Sequence, residues 1–569
     1  MCRTIYVVLF ILLTKTGTGV SGQLQKINLT TLKENTGFLV LAPDRGFVGN
    51  NETSALFQKF NSLYHSSLVF VGRKYDGMDS NYSEYFQKAL SKFSENGISE
   101  IVVIPLFIYN SNHILQTIKK YLPLYNFKGN IRWNSSMSES YLTAQILSDH
   151  VKKISEKTNQ ERLLIIGRGA IDETSEKLIK LELENLSNYI KEQNTFKSIQ
   201  TGVYYSYNAE EKLRTIKNEE VDNMVIHAAA KKGDTLLVPF FIGPKYSHMM
   251  SLSHFVERRF KDIDLVYNSD EVLLHPNALI WMKKAANKHI SSSSHDPIGV
   301  VIMPHGATKP YNDAVEKTIE PLKKKYKVEM AYGMGDAISL QNAVSKLEDK
   351  GVKRIVFVRM YPTSSQLKEK TDYILGLSDK IPEQWDGLNP PQIRTSAIIS
   401  TFGGYEEDHL IAGIFLERIQ EISKKPRNET IILLAHGAQD DHAEKLRKEK
   451  MNAHINWIQG QVTPQFKQIK GMTLREDWPD KRKQALKEIK AVIEEGNKTG
   501  RVIVISNRLY GSGPYKHFLE GLKFDMNSMG LAPHPNLTRW LEKGIESSMN
   551  IDNGKEKLSK IQALQANEY

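Results

Sequence analysis

The chain has 569 residues, 40% of them hydrophobic, so we expect two to four globular units that each bury a core. Lys and Arg outnumber Asp and Glu by 76 − 65 = 11. This excess is spread over lysine-rich helix faces and does not form arginine-aromatic clusters, which argues against a nucleic-acid-binding module. Both a solvated surface and a basic cleft for a polyanionic small molecule fit it.

The first 22 residues have the pattern of a secretory signal peptide. Arg3 precedes an apolar stretch from Ile5 to Leu13, and small residues follow as far as Gly22. The stretch is short for a membrane span, and an uncleaved anchor is the alternative. We therefore expect a secreted, periplasmic or extracellular protein without stable membrane insertion after cleavage, or a membrane-tethered protein if the leader is retained.

The single cysteine, Cys2, lies inside this leader. The mature chain would have no disulfide and no thiolate, so a bound metal would have to use His, Asp or Glu ligands. Eight Asn-x-Ser/Thr sequons occur, which are either glycosylation acceptors or chance products of a composition rich in Asn, Ser and Thr. The sequons begin at Asn28, Asn51, Asn81, Asn134, Asn185, Asn428, Asn497 and Asn536.

Internal repetition is the strongest signal in the chain. Four apolar runs end in a basic residue followed by glycine: "FLVLAPDRG", "LLIIGRGA", "GVVIMPHGA" and "IILLAHGA". Their glycines, Gly46, Gly169, Gly306 and Gly437, are separated by 169 − 46 = 123, 306 − 169 = 137 and 437 − 306 = 131 residues. A second apolar phrase closes each copy, as in "ISEIVVIPLFIYNSNH" and "GDTLLVPFFIGPKYSH". The spacing predicts four copies of one structural unit.

Each copy reads as strand, glycine turn, amphipathic helix, middle strand, second helix, then another strand and loop. Unbroken β-branched runs between helices are typical of parallel strands buried on both faces, so we predict an α/β fold of repeated, doubly wound parallel-sheet units. Ligands bind beyond the carboxyl ends of such strands, where both recurring phrases lie. The predicted segments are a signal peptide (1–22), repeat 1 (35–150), repeat 2 (160–282), a linker (283–297), repeat 3 (298–425), repeat 4 (428–545) and a polar tail (546–569).

The phrases "PHGA", "GVKRIVFV" and "ENGISEIVVIPLFIYNSNH" resemble those of the CbiX/CbiK-type class II chelatases. These are the sirohydrochlorin cobaltochelatases, with relatives that insert iron or nickel. The resemblance covers both halves of the chain in unit length and phrase order. It implies four chelatase-like copies arranged as two bilobal halves.

The first histidine of the family pattern follows the first strand. His305 and His436 match it in repeats 3 and 4, whereas Arg45 and Arg168 stand there in repeats 1 and 2. The second family histidine ends the closing loop, eight residues beyond a proline.

His113 matches this second position in repeat 1, and His248 follows one residue late in repeat 2. His442 and His517 are further candidates. No copy has both family histidines in register, so a site is either completed by facing lobes that share ligands or broken.

The resemblance implies a role for each matched residue. Neutral imidazole binds divalent cobalt, iron or nickel and accepts pyrrole protons near neutral pH, and no nucleotide is needed. Arginine forks would hold the acidic arms of a tetrapyrrole, and a glycine lets the backbone approach it. The implied catalytic residues are His113, His305 and His436, the metal ligands are His113, His248, His305 and His436, and the substrate-binding residues are Arg45, Arg168, Gly306 and Gly437.

Ordinary structural roles are the alternative at each position, namely hydrogen-bonded turn histidines and strand-end ion pairs. Two functions follow. The first is an exported sirohydrochlorin cobaltochelatase-like lyase, of the kind used in cobalamin biosynthesis, which inserts a divalent metal. The second is a non-catalytic extracellular metal or tetrapyrrole binder on a degenerate chelatase scaffold. The histidine phrases favour the first, and the leader favours the second.

Overall fold

A computed structural model describes residues 35–72, 82–231, 233–243, 251–290, 297–382 and 390–550. The predicted signal peptide (1–22) and His248 lie outside these described residues. Along the described ranges, no helix combines the length and the apolar character needed to cross a membrane.

Strands and helices alternate through the first two repeats. Repeat 1 consists of β1 (Thr36–Pro43), α1 (Gly46–Asn61), β2 (Ser66–Val71), α2 (Ser83–Glu95), β3 (Glu100–Pro105), α3 (His113–Tyr121), β4 (Asn130–Trp133) and α4 (Tyr141–Lys152). Repeat 2 consists of β5 (Arg162–Ala170), α5 (Glu173–Gln193), β6 (Ser198–Tyr205), α6 (Glu211–Ala229), β7 (Thr235–Pro239), α7 (Leu252–Phe260), β8 (Val266–Tyr267) and α8 (Pro276–Asn287).

The same succession recurs in the last two repeats. Repeat 3 consists of β9 (Ile298–Met303), α9 (Lys309–Ile319), β10 (Lys327–Met330), α10 (Ala337–Glu348), β11 (Arg354–Arg359), α11 (Lys368–Ile374), β12 (Ile398–Gly403) and α12 (His409–Gln420). Repeat 4 consists of β13 (Glu429–Ala435), α13 (Asp441–Gln461), β14 (Gln468–Thr473), α14 (Pro479–Thr499), β15 (Arg501–Asn507), α15 (Tyr515–Phe518), β16 (Asp525–Asn527) and α16 (Pro535–Asn550).

Every repeat builds a four-stranded sheet with the same strand order. The orders are β2-β1-β3-β4, β6-β5-β7-β8, β10-β9-β11-β12 and β14-β13-β15-β16, and all pairs are parallel. The first strand of each repeat therefore lies between the second and the third. The prediction of an α/β protein with repeated parallel sheets is confirmed.

The apolar runs explain why these segments form central strands. Residues 38–42 in β1 and 101–104 in β3 are fully buried, because helices cover both faces of the sheet. Side chains of alternating residues face opposite sides, so Phe38 and Val40 enter one apolar cluster while Leu39 enters another.

The four repeats pack as two pairs. One apolar core combines side chains of repeats 1 and 2, and helices α4 and α5 contact each other across it. A second core combines repeats 3 and 4 in the same way, with α12 against α13. Repeats 1 and 2 are called the first half below, and repeats 3 and 4 the second half.

The two halves contact each other through α4, α8 and the chain segment that precedes β12. The Tyr141 hydroxyl donates to the Ile393 carbonyl at 3.0 Å, and the Asn287 amide donates to the Ser396 carbonyl at 2.8 Å. The carboxylate of Asp149 in α4 also pairs with a guanidinium from this segment. These polar contacts join repeat 1 and α8 to repeat 3.

Two predicted segment boundaries differ from the structure. The stretch 283–297 predicted as a linker begins inside α8, because Ala285 and Ala286 are buried in the core of the first half and the helix continues to Asn287. The predicted tail, 546–569, begins inside α16, which extends to Asn550 because Ile545 packs into the core of the second half. Residues 291–296 and 551–569 lie outside the described residues.

Candidate functional site

The four strand-end residues all lie at the carboxyl edge of a sheet. Arg45 follows β1, Arg168 lies near the end of β5, His305 follows β9 and His436 follows β13. Each of these strands is central in its sheet, and the chain leaves it to one side for the second strand and returns to the other side for the third. Such a switch point is where open α/β sheets bind ligands.

His305 has the geometry of a ligand or base with one nitrogen directed away from the protein backbone. Its exposed ring places Nδ1 2.7 Å from the carbonyl oxygen of Gly306. In the Nδ1–H tautomer this nitrogen donates to the carbonyl, and the lone pair is on Nε2. Gly306 has φ +78°, and the Tyr332 ring lies 3.1 Å from the position of an added Cβ, so glycine is required at this turn.

His436 repeats this arrangement in repeat 4. Nδ1 lies 3.0 Å from the Gly437 carbonyl oxygen, and the ring is half-buried against the edge of Trp478. Nε2 lies 3.1 Å from a carboxylate oxygen of Asp477. Both ring nitrogens of His436 therefore lie next to oxygen atoms, and its Nε2, unlike that of His305, is placed beside a side chain of the protein.

Arg508 interacts electrostatically with groups near both histidine turns of the second half. The guanidinium of Arg508, directly after β15, pairs with Glu476 at 2.5 Å, and the Glu476 amide donates to the His436 carbonyl at 3.3 Å. On the other side, Arg508 acts electrostatically on Tyr311, which lies in α9 directly after the His305 turn. Burial raises the pKa of Tyr311 to about 12.

A buried ion pair joins repeats 3 and 4. Arg447 in α13 pairs with Glu406, which precedes α12, at 3.2 Å, and both side chains are almost completely buried. Because the two partners come from repeats 4 and 3, the pair fixes one lobe against the other. Leaving either charge without its partner would be costly at this depth.

His113 is the candidate that crosses between repeats 1 and 2. Its Nε2 accepts from the Asn208 amide at 2.7 Å, and its Nδ1 lies 3.5 Å from the Gly169 carbonyl oxygen. Burial lowers the pKa of His113 below its ordinary value. The structure therefore brings His113 next to the strand end of repeat 2 that carries Arg168, although both of its ring nitrogens contact groups of the protein.

Arg45 is held in a buried polar cluster. Its guanidinium donates to the Gly49 carbonyl at 2.6 Å and to Thr53 at 2.9 Å, and it pairs with Glu52 at 3.4 Å and Glu271 at 3.7 Å. The carboxylates that pair with Arg45 therefore belong to the protein itself, whereas the chelatase resemblance predicts acidic arms of a substrate as its partners.

Arg168 has different surroundings. Its guanidinium lies over the rings of Tyr207, at 5.3 Å, and Phe241, at 6.0 Å. His442 is exposed on α13, and the ring of His517 contacts Phe518. Within the described ranges, no group of three or more His, Cys, Asp or Glu side chains is arranged to hold a metal ion.

Sequence reasoning missed the carboxylate that holds the His113 loop. Glu182 in α5 is buried and accepts from the amides of Asn110 and Ser111 and from the hydroxyls of Ser111 and Ser138. Burial raises the pKa of Glu182 above its ordinary value despite these bonds. The available signal was a glutamate on the apolar face of a helix, directly before the core residue Leu183.

Comparisons with known proteins add little to this geometry. No protein-family model matches the chain, and no curated protein matches it. Among solved structures, a periplasmic binding ribose operon repressor protein from Lactobacillus acidophilus is similar over 46% of this chain and 92% of that chain, with 16% identity and a TM-score of 0.23. At this TM-score the similarity supports no functional conclusion.

Proposed function

We propose that the protein is a chelatase-like enzyme that inserts a divalent metal into sirohydrochlorin or a related tetrapyrrole, with cobalt favoured over iron and nickel. We assign the reaction to the second half. The observation that carries this proposal is the matched geometry of His305 and His436. Both follow a central strand, and both direct Nδ1 to the carbonyl of the next glycine.

The chemistry requires a loosely held metal and an acceptor for two pyrrole protons. A histidine whose Nδ1–H donates to a carbonyl presents the Nε2 lone pair in a fixed direction, which suits both roles. His305 is exposed at the sheet edge, so a macrocycle could approach its Nε2. The carboxylate of Asp477 beside His436 adds an oxygen that could bind the metal or accept a proton. The metal is a substrate here, and cobalt, iron and nickel all accept imidazole ligands.

A specific observation favours a second function, that of a non-catalytic metal or tetrapyrrole binder. In the first half, two of the matched residues, His113 and Arg45, are held by polar groups of the protein itself. The two nitrogens of His113 face Asn208 and Gly169, and Arg45 is paired with Glu52 and Glu271. A half in which these side chains are held by the protein itself fits a scaffold that binds a metal or a tetrapyrrole without inserting one into the other.

One assay separates the two functions. The full chain is mixed with sirohydrochlorin and cobalt(II), and the absorbance change on metallation is compared with the spontaneous rate. The enzyme accelerates metallation, and His305→Ala and His436→Ala each lower the rate toward the spontaneous value. A matched control is His65→Ala, because His65 is an exposed histidine at the opposite edge of a sheet, where β2 begins. Tight binding with no acceleration supports the binder, whereas neither binding nor acceleration rejects both.

A further inference from the structure

Side chains from the ends of three strands meet at the carboxyl edge of the repeat 2 sheet. Arg168 itself lies at the end of the central strand β5, where the pairing with β6 is irregular. Tyr207 follows β6, and Phe241 follows β7. The guanidinium lies over both rings, 5.3 Å from the Tyr207 centroid and 6.0 Å from the Phe241 centroid. The arginine is thus oriented by residues from both neighbouring strands.

Positive charge accumulates at this edge. Arg214 lies over the same Tyr207 ring at 5.3 Å and pairs with Glu211 at 3.8 Å, and Arg258 and Arg259 act electrostatically on Arg168. Arg259 is paired with Asp222 at 2.6 Å. For Arg168, by contrast, no carboxylate oxygen of the described residues lies within 4.0 Å of the guanidinium.

Arg45, at the corresponding position of repeat 1, differs from Arg168 in having carboxylate partners. Both arginines precede the recurring glycine of their repeat, but Arg45 has Glu52 and Glu271 as partners. Burial lowers the pKa of Arg168 below its ordinary value, and its arginine neighbours act in the same direction. A partly desolvated cation among other cations is unfavourable unless an anion balances it, and aromatic rings compensate only in part.

We propose that this edge of repeat 2 binds an oxyanion, with Arg168 as its bidentate ligand. The planar fork of a guanidinium matches the two oxygens of a phosphate or carboxylate group. Tyr207 and Phe241 flank the fork, and Arg258 supplies additional positive potential that favours a multiply charged anion. The site is in the first half and involves neither His305 nor His436. Its test therefore does not depend on whether the protein inserts a metal.

The test is anion binding by the full chain at constant ionic strength in chloride buffer. Inorganic phosphate and citrate are titrated separately by isothermal calorimetry. We expect saturable binding of at least one of them, weakened about tenfold or more in Arg168→Gln, because a hydrogen-bonded charge pair is lost. Arg132→Gln removes the same charge from an exposed arginine of repeat 1 and leaves the affinity unchanged.

Arg168→Lys keeps the charge but loses the fork, and we expect it to bind more weakly than the wild type. This variant also provides the test if Arg168→Gln fails to fold, which thermal unfolding without added anion would reveal. Saturation by phosphate alone assigns a phosphate ligand, and saturation by citrate alone assigns a carboxylate. The proposal is overturned if the wild type binds neither anion, or if the Arg168 variants that fold bind as tightly as the wild type.

Discussion

Replacing Glu182 by Ala would test how repeat 2 holds the loop that carries His113. One carboxylate oxygen accepts from the Asn110 amide at 2.7 Å, and the other accepts from the amide and hydroxyl of Ser111 at 3.0 and 2.6 Å. The Ser138 hydroxyl donates to the same oxygen as the Asn110 amide. Alanine would leave two backbone amides and two hydroxyls without this acceptor at a buried position.

The size of the effect follows from the two amides, since hydroxyls can rotate to other acceptors. A buried donor that loses its partner costs about 1–3 kcal/mol, so two of them cost about 2–6 kcal/mol of unfolding free energy. Glu184→Ala is the matched control, because Glu184 is exposed on the same helix and its loss should cost at most about 0.5 kcal/mol.

Urea unfolding followed by circular dichroism would measure both variants. Hydrogen exchange would report the local effect, since the amides of Asn110 and Ser111 should exchange faster in Glu182→Ala. The reasoning is refuted if Glu182→Ala costs less than about 1 kcal/mol or no more than Glu184→Ala.

Two further predictions concern protonation and backbone strain. Burial lowers the pKa of His150 and of His454 to about 4, so between pH 6.5 and 4 the unfolded chain binds protons that the folded chain does not. Unfolding free energy should therefore fall by about 3 kcal/mol per histidine as the pH drops through this window. Urea titrations should show a smaller fall when both are replaced by Gln, and an unchanged pH slope would contradict this. Gly437→Ala should destabilise the protein by about 1–3 kcal/mol, because φ is +94° and the new Cβ would lie 2.9 Å from the Arg475 amide nitrogen. Gly97→Ala, with φ +71° and no neighbour within 4 Å, should cost less, and equal losses would refute the steric part of the argument.

The repeated architecture could be predicted because its signals are local. An unbroken apolar run marks each central strand, and the glycine after it marks the turn, so the positions of the four glycines indicate the four sheets. After His305, the apolar residues Ala314, Val315 and Ile319 follow helical spacing, and all three are buried on α9. Such patterns depend only on the periodicity of strands and helices.

The contacts that distinguish the sites could not be predicted, because they join residues far apart in the chain. Arg45 and Arg168 look alike in the sequence, since each precedes the glycine that follows a strand. Arg45 gains Glu271 from repeat 2, whereas Arg168 meets Tyr207 and Phe241. The pairing of repeats decides these partners, and no local pattern encodes it.

Cobalt(II) binding, followed by visible ligand-field absorption, tests the role assigned to the second half most directly. Wild-type protein and His65→Ala are titrated with cobalt(II), and the double variant His305→Ala/His436→Ala is titrated in parallel. The account predicts absorption bands of nitrogen-coordinated cobalt(II) in the wild type and in His65→Ala, and the loss of these bands in the double variant. Identical spectra for all three would contradict it, since the metal would then be held elsewhere or not at all.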